Sequence, residues 1–183
     1  SGARAAKIVR NLLAFARRSA LDRSVSDLNE IVRSALSWRA GELHASHITV
    51  EDRCAAELPL IVVNREEIQQ VTLNLILNAE HALRAGGREG TITVRTGLSG
   101  DSVFLEVGDD GPGVPADLAG RIFEPFFTTK GIGEGTGLGL SVCLGIAHAH
   151  GGSLALLPSA RGARFVLKLP WGASHQPVLT TSN

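Results

Sequence analysis

Glycine takes every second position from Gly133 to Gly139, in the run Gly-Glu-Gly-Thr-Gly-Leu-Gly-Leu that closes on Leu140. A core strand and a helix interior both lose stability with glycine inside, so this run is neither. It suits a backbone that comes very close to a ligand and then turns into a helix. The helical pattern resumes at once through Leu140, Leu144, Ala147 and Ala149. The glycines therefore end at a helix N-terminus, where free N–H groups and the positive end of the helix dipole favour an anion. For the segment in isolation, a flexible surface loop is the plain alternative.

The rest of the chain narrows the choice. Its 183 residues are enough for one well-packed domain with a small appendage. The 18 basic and 18 acidic residues cancel, so charge gives no case for nucleic acid or an anionic membrane surface as partner. No apolar stretch is long enough to span a bilayer, and no signal-peptide pattern opens the chain. Cys54 and Cys143 lack metal-ligand spacing and read as two reduced thiols, which predicts a cytoplasmic domain. The opening Ser1-Gly2 resembles a tag remnant, which predicts an excised piece whose parent could be anchored in a membrane.

Residues 3–19 read as one helix, with Ala5, Ile8, Leu12 and Phe15 at the spacing of a bundle seam that needs a partner helix. After a break at Asp22-Arg23-Ser24, a second helix starts at Asp27, with Glu30 in capping-box position. Strands are expected at residues 48–51, 60–63, 91–96, 103–107, 153–157 and 164–169. A strongly apolar helix is expected over residues 65–85, stopped by Gly86-Gly87. Helices followed by strands, with one helix interrupting, predict an α+β fold built as a two-layer sandwich. Residues 1–20 then form an appendage, 21–170 the domain, and 171–183 a linker or tail.

Three further segments carry chemistry. In the 65–85 helix, Asn74 and Asn78 interrupt an apolar run four residues apart, hence on one face, with His81 on the next turn. An amide oxygen there suits Mg²⁺, which keeps waters and takes its other oxygens from nucleotide phosphates; a polar surface stripe is the bland reading. The strand ending at Val107 runs into Gly-Asp-Asp-Gly-Pro-Gly-Val, residues 108–114. A carboxylate at a strand end beside bare glycines can accept a hydrogen bond while a flat ring approaches. The stretch Ile-Phe-Glu-Pro-Phe-Phe-Thr-Thr-Lys, residues 122–130, suits either a lid that docks and undocks or a hydrophobic loop packed permanently. His148 and His150 suggest a helix C-terminal cap more strongly than a metal pair.

Taken in order, Asn-x-x-x-Asn, Asp-x-Gly-x-Gly, Phe-Glu-Pro-Phe-Phe and Gly-Thr-Gly-Leu-Gly-Leu resemble the N, G1, F and G2 boxes of bacterial sensor histidine kinases. The likeness runs from Asp27 to about Pro170. It implies the Bergerat fold of the GHKL superfamily, a mixed sheet covered by helices on one face, with ATP and Mg²⁺ on the helical side. It places Asp109 on the adenine amino group, with Gly111, Gly113 and Val114 around the ring. Asn78 would hold Mg²⁺, and Asn74 and His81 would line the phosphate side. Lys130 and the backbone of Gly135, Thr136, Gly137, Leu138, Gly139 and Leu140 would meet the phosphates. Phe123, Phe126 and Phe127 would anchor the lid. Residues 3–19 would be the end of the second helix of a dimerisation and phosphoacceptor hairpin.

The implied activity is transfer of the γ-phosphoryl group to a histidine of that hairpin in a homodimeric full-length kinase, with a response regulator as the next acceptor. No residue in this stretch takes a certain catalytic role. A GHKL nucleotide switch that gates protein association without phosphorylating anything is the alternative. Three departures from the family pattern matter. ATP-hydrolysing cousins carry a glutamate where Asn74 stands; asparagine cannot take a proton, which favours transfer over hydrolysis. Ala163 stands where many relatives have an adenine-binding threonine. No histidine here sits in the acidic, proline-terminated box of a phosphoacceptor.

Overall fold

The computed structural model describes residues 22–87, 89–129 and 137–172. The expected helix at residues 3–19 and the tail from residue 173 lie outside them. In chain order the elements are β1 (Ser24–Ser26), α1 (Leu28–Ala45), β2 (Ile48–Arg53), β3 (Ile61–Val63), α2 (Arg65–Ala85), β4 (Gly90–Ser99), β5 (Ser102–Asp109), α3 (Gly139–Ala149), β6 (Ser153–Leu157) and β7 (Arg164–Pro170).

A five-stranded sheet has the order β2-β4-β5-β7-β6, with β2 parallel to β4 and every other pair antiparallel. Side chains alternate across it as the pleat requires. Ile92, Val94, Val103, Leu105, Val107, Leu167 and Leu169 are buried on one face, where α1, α2 and α3 cover them. The opposite face mixes charged side chains with Phe104 and Val166. There Arg164 grips Glu106 at 2.9 Å, and Arg95 lies over the Phe104 ring, 5.3 Å from its centroid. Gly97 makes room for that ring, since a Cβ would stand 2.7 Å from it. The two-layer α+β sandwich is therefore the observed architecture.

Helix α2 is the central helix, in contact with both α1 and α3. Asn64 caps its start by accepting from the Glu67 N–H at 3.2 Å, Glu66 and Glu67 sit in its first turn, and Gly86 ends it. Ile68, Val71, Leu75, Ile76, Ala79 and Leu83 bury its apolar stripe. One surprise is β1, which stands where a break was expected and pairs Ser24, Val25 and Ser26 with Val63, Val62 and Ile61. Three residues are too few to show a period-2 pattern. The expected capping box is also modified: Asp27 accepts from the Asn29 N–H at 2.8 Å, while Glu30 pairs with Arg65 at 3.5 Å.

Two polar networks lock the layers. His150 caps α3, its Nδ1 hydrogen-bonded to the Ile146 carbonyl at 2.8 Å, and its Nε2 accepts from the Asn64 N–H at 3.0 Å. Burial holds its pKa below the ordinary histidine value, which keeps the ring neutral and Nε2 able to accept. The cap reading thus describes His150, which follows the last residue of α3.

In the second network Glu80, 1% exposed, accepts from Arg39 of α1 at 2.7 Å and from Arg84 at 2.8 Å. Removing the carboxylate leaves Arg39, whose side chain is 22% exposed, with only the partly exposed Glu42, 3.3 Å away, next to an apolar helix interface. Glu80→Ala is expected to destabilise the fold by about 2–3 kcal/mol, below the fully buried range because Arg39 and Arg84 keep some water. Urea unfolding checks this; a loss under about 0.5 kcal/mol would mean the pair behaves as a solvated surface bridge.

Candidate functional site

Along the edge of its packed stripe α2 carries Asn74, Asn78 and Ala82 at successive turns. The loop after β5 folds onto the last of these. A Cβ on Gly111 would lie 3.6 Å from Ala82 backbone and 3.4 Å from Leu83, and Pro112 lies against the end of the helix at Gly86. At the other end of the stripe, Gly139 opens α3, and a Cβ there would lie 3.9 Å from Asn74 Cγ. Three segments distant in sequence thus meet along one helix face.

Asp109 is the last residue of β5 and is 9% exposed. Its backbone N–H donates to the Ala163 carbonyl at 3.0 Å. Its Oδ1 accepts from Gly111 N–H at 2.9 Å and from Ala163 N–H at 3.4 Å; Oδ2 receives neither bond. The turn between β6 and β7 presses directly on this residue. A Cβ on Gly162 would stand 1.7 Å from the Asp109 carbonyl, and one on Gly113, whose φ is 78°, would stand 2.8 Å from the Gly162 carbonyl. Both glycines are thus demanded first by the chain's own close packing. Burial raises the Asp109 pKa, with the Asp110 charge adding to it, while the Gly111 and Ala163 N–H groups oppose the rise.

The two asparagines have different surroundings. Asn74 Nδ2 donates to Cys143 Sγ of α3 at 3.5 Å, and burial pushes that thiol's pKa up to about 11, so it stays protonated. Asn78 is half-buried, and among the described residues its buried Nδ2 has no hydrogen-bond partner. An amide in that state costs about 1–3 kcal/mol unless something supplies the bond. A single amide with no surrounding carboxylate cage matches Mg²⁺ that arrives with its phosphates, so the residues present fit that ion. His81 is exposed on the next turn. Among the described residues no side chain caps the start of α3, whose first turn begins at Gly139, beside Asn74.

Residues 63–173 match the family described as histidine kinase-, DNA gyrase B- and HSP90-like ATPase. The nucleotide-free catalytic domain of histidine kinase ThkA is 31% identical with a TM-score of 0.73, over 81% of this chain and 95% of that one. The chain belongs to this family. It is an ATP-binding domain with the Bergerat fold, in the form that histidine kinases carry. The sensor kinase CckA of Brucella abortus (strain 2308) is 37% identical over 91% of this chain, which spans only 19% of that relative's length. A crystal structure of ThkA in complex with the response regulator TrrA is 26% identical, TM-score 0.68, over 92% of this chain and 47% of that one.

Within this family member the aromatic segment is divided. Phe123 packs edge-on to Phe165, ring centroids 6.3 Å apart, and so belongs to the core rim with Ile122 and Val114. Phe127 lies under Arg121, 4.7 Å from its guanidinium carbon. Phe126 is 71% exposed at a φ of 66°, a left-handed conformation costing about 1–2 kcal/mol in a non-glycine residue. Its N–H donates to the Gly137 carbonyl at 2.9 Å, so the segments on either side of residues 130–136 are tied together. A Cβ on Gly137, φ 65°, would meet Phe126 backbone at 2.6 Å. Leu138 and Leu140 follow at the head of α3. Lys130, Gly135 and Thr136 lie outside the described residues.

In sequence the β6–β7 turn is marked by Pro158, Ser159 and Gly162, which signal a turn but no site; Ala163 stands out only for the absent threonine. Since Asp109 is harder to ionise in the folded chain than in the unfolded one, its charge weakens the fold at neutral pH and the penalty fades as pH falls through its raised pKa. Asp109→Asn keeps an oxygen for both N–H groups and is expected to melt no lower than the parent at neutral pH. The gap between the two should shrink on acidification, starting above the ordinary carboxylate range. Thermal melts across that range check this; a mutant that melts lower at neutral pH would refute it.

Proposed function

We propose that this domain binds Mg·ATP between α2, the β5 loop and the start of α3, and that in the full-length protein it delivers the γ-phosphoryl group to a histidine. The observation that carries this reading is the buried carboxylate of Asp109 facing the same helix stripe as the unpartnered Asn78 amide. Asp109 Oδ2 takes the adenine amino hydrogen, with Gly111, Gly113 and Val114 against the ring. Asn78 holds Mg²⁺, whose charge offsets that of the phosphates. Asn74 and His81 line the phosphate side. The head of α3 from Gly137 to Leu140 offers N–H groups to the phosphates, joined by Lys130, Gly135 and Thr136.

Asn74 supports transfer rather than hydrolysis, since an amide already donating to Cys143 cannot act as base toward water. In the transfer, an acceptor histidine nitrogen attacks the γ-phosphorus, the bond to the bridging oxygen breaks, and ADP leaves; positioning supplies most of the catalysis. Residues 1–20 are read as the end of a dimerisation and phosphoacceptor hairpin, 21–170 as the catalytic domain, and 171–183 as a tail. The partners are that hairpin, its second copy in a homodimer, and a response regulator, as with ThkA and TrrA. Among the described residues no helix is long and apolar enough to cross a membrane; the domain is read as cytoplasmic, on a parent that could be anchored.

A hydrogen bond to a charged group contributes about 1.5–3 kcal/mol, so Asp109→Ala should weaken ATP and ADP roughly ten- to over a hundredfold by calorimetry. GTP, with an oxygen at the six position, should bind poorly to the parent. Parity between GTP and ATP would remove Asp109 from the adenine role. Asn78→Ala should weaken ATP mainly when Mg²⁺ is present; an unchanged metal dependence would make Asn78 merely structural.

The activity itself is tested with radiolabelled ATP. The 183-residue chain alone is expected to bind ATP without acquiring acid-labile phosphate. A separate dimeric hairpin carrying its histidine should become labelled weakly in trans, because no tether raises its effective concentration. Label on this chain, or ATP-dependent association without any label on the hairpin, would favour the nucleotide-switch reading or rewrite the acceptor.

A further inference from the structure

We propose that Arg161 is a positioning residue for adenine selection, acting through the peptide unit between Asp110 and Gly111. The inference rests on the reading of Asp109 as the group that accepts the adenine amino hydrogen. Its basis is that both ends of one peptide plane are engaged. At one end the Asp110 carbonyl accepts from Arg161 Nε at 2.9 Å. At the other, the Gly111 N–H donates to Asp109 Oδ1 at 2.9 Å.

In a trans peptide the carbonyl and the N–H point in opposite directions, so fixing one fixes the other. The plane needs fixing because it is followed by glycine, which tolerates the flipped orientation. Flipping would turn a carbonyl dipole toward a buried carboxylate in place of a donor. Arg161 removes that freedom from outside. A cation on the carbonyl also polarises the peptide and strengthens its N–H as a donor, because hydrogen bonds in series reinforce one another. With Oδ1 occupied in this way, Oδ2 is the oxygen left for a ligand.

The guanidinium is itself held in place. Its backbone turn is tied by Ser159, whose hydroxyl donates to the Arg161 carbonyl at 2.6 Å, and its Nη2 lies 3.8 Å from Asp110 Oδ2. Asp110 Oδ1 in turn accepts from the Thr91 N–H at 2.8 Å. Gly162, pressed on Asp109, and Ala163, bonded to its carboxylate, follow directly in the chain. Alanine at 163 has no hydroxyl to add a further contact, so orientation of the carboxylate falls to the backbone and to Arg161. An exposed arginine making an ordinary ion pair would not need Nε on a carbonyl.

The test compares ATP and GTP affinities of the whole chain for the parent, Arg161→Ala, Arg161→Gln and, as a control on the distant open face of the sheet, Arg95→Ala. Arg161→Ala is expected to weaken ATP about three- to tenfold and leave GTP unchanged, which narrows the preference by the same factor. The Gly111 amide proton should move upfield in the NMR spectrum as its bond to Asp109 loosens. Arg161→Gln, which still offers a planar N–H, should recover part of both effects, and Arg95→Ala should show neither. Equal weakening of ATP and GTP, or an unmoved Gly111 resonance, overturns the proposal. Asp109→Asn separates the two levels: if it keeps the full preference for ATP, the adenine reading itself fails. If it loses the preference while Arg161→Ala keeps it, only the role of Arg161 fails.

Discussion

Burial of one stripe of α2 against the sheet is the interaction from which the remaining geometry follows. Ile68, Val71, Leu75, Ile76 and Leu83 are each 2% exposed or less, and side chains of that size contribute about 1.5–3 kcal/mol apiece when fully buried. That contribution fixes the rotation of the helix about its own axis. Once the rotation is set, the 3.6-residue repeat decides where Asn74, Asn78 and Ala82 point, with no further choice. Glu80, on another side, then faces α1 and meets Arg39. Helix α2 is thus held on two sides while a third is left for the site.

The second constraint is backbone closeness around Asp109. The β6–β7 turn can sit against Asp109 only because Gly162 lacks a Cβ, and the β5 loop against that turn only because Gly113 does, while a Cβ on Gly111 would crowd Asp109 Oδ1 at 2.9 Å. These glycines bring a carboxylate into a dry place and surround it with N–H groups rather than side chains. Rigid donors of that kind need no reorganisation when a ligand arrives. The glycines at the head of α3 serve another purpose. Gly137 is held against Phe126 backbone, so the two sides of residues 130–136 meet at one point.

Much of this was legible in the sequence, for identifiable reasons. Helix α2 could be bounded from its long apolar period and Gly86-Gly87 stop, and it runs from Arg65 to Ala85 as expected. The strands of the main sheet announced themselves by alternation that long antiparallel pairing then enforces. β1 did not, since a three-residue strand has no period and depends on a partner reached through the whole of α1 and β2. The asparagines and Asp109 stood out as polar interruptions of apolar runs. Arg161 was silent because its role is through a backbone carbonyl, and an interaction with backbone leaves no mark on the partner's residue type. The Phe segment admitted two readings from sequence because both need the same residues; the structure divides it, with Phe123 on the core and Phe126 exposed.

Among the described residues the buried side-chain atoms left without a hydrogen-bond partner are Arg23 Nε, Arg39 Nε and Asn78 Nδ2, and of these Asn78 lies beside Asp109's end of the fold along α2. Asn29 donates to the Ala55 carbonyl and accepts from Thr96, and His150 uses both ring nitrogens, so these buried groups are supplied by protein partners. Asp109 carries a carboxyl whose ionised form its burial disfavours, and Asn78 has an amide nitrogen with no partner among the described residues. Satisfying them internally would have been easy: an asparagine at 109 or a leucine at 78 would remove the cost. Their presence along one helix face, while the networks around Asn29 and His150 are closed, is what a site looks like when its missing bonds are meant to come from a ligand. A flat donor-bearing ring opposite Asp109, and a phosphate or water oxygen accepting from Asn78 Nδ2 while Oδ1 is left for a cation, would complete both shortfalls at once, so the free energy withheld from folding would become available to binding.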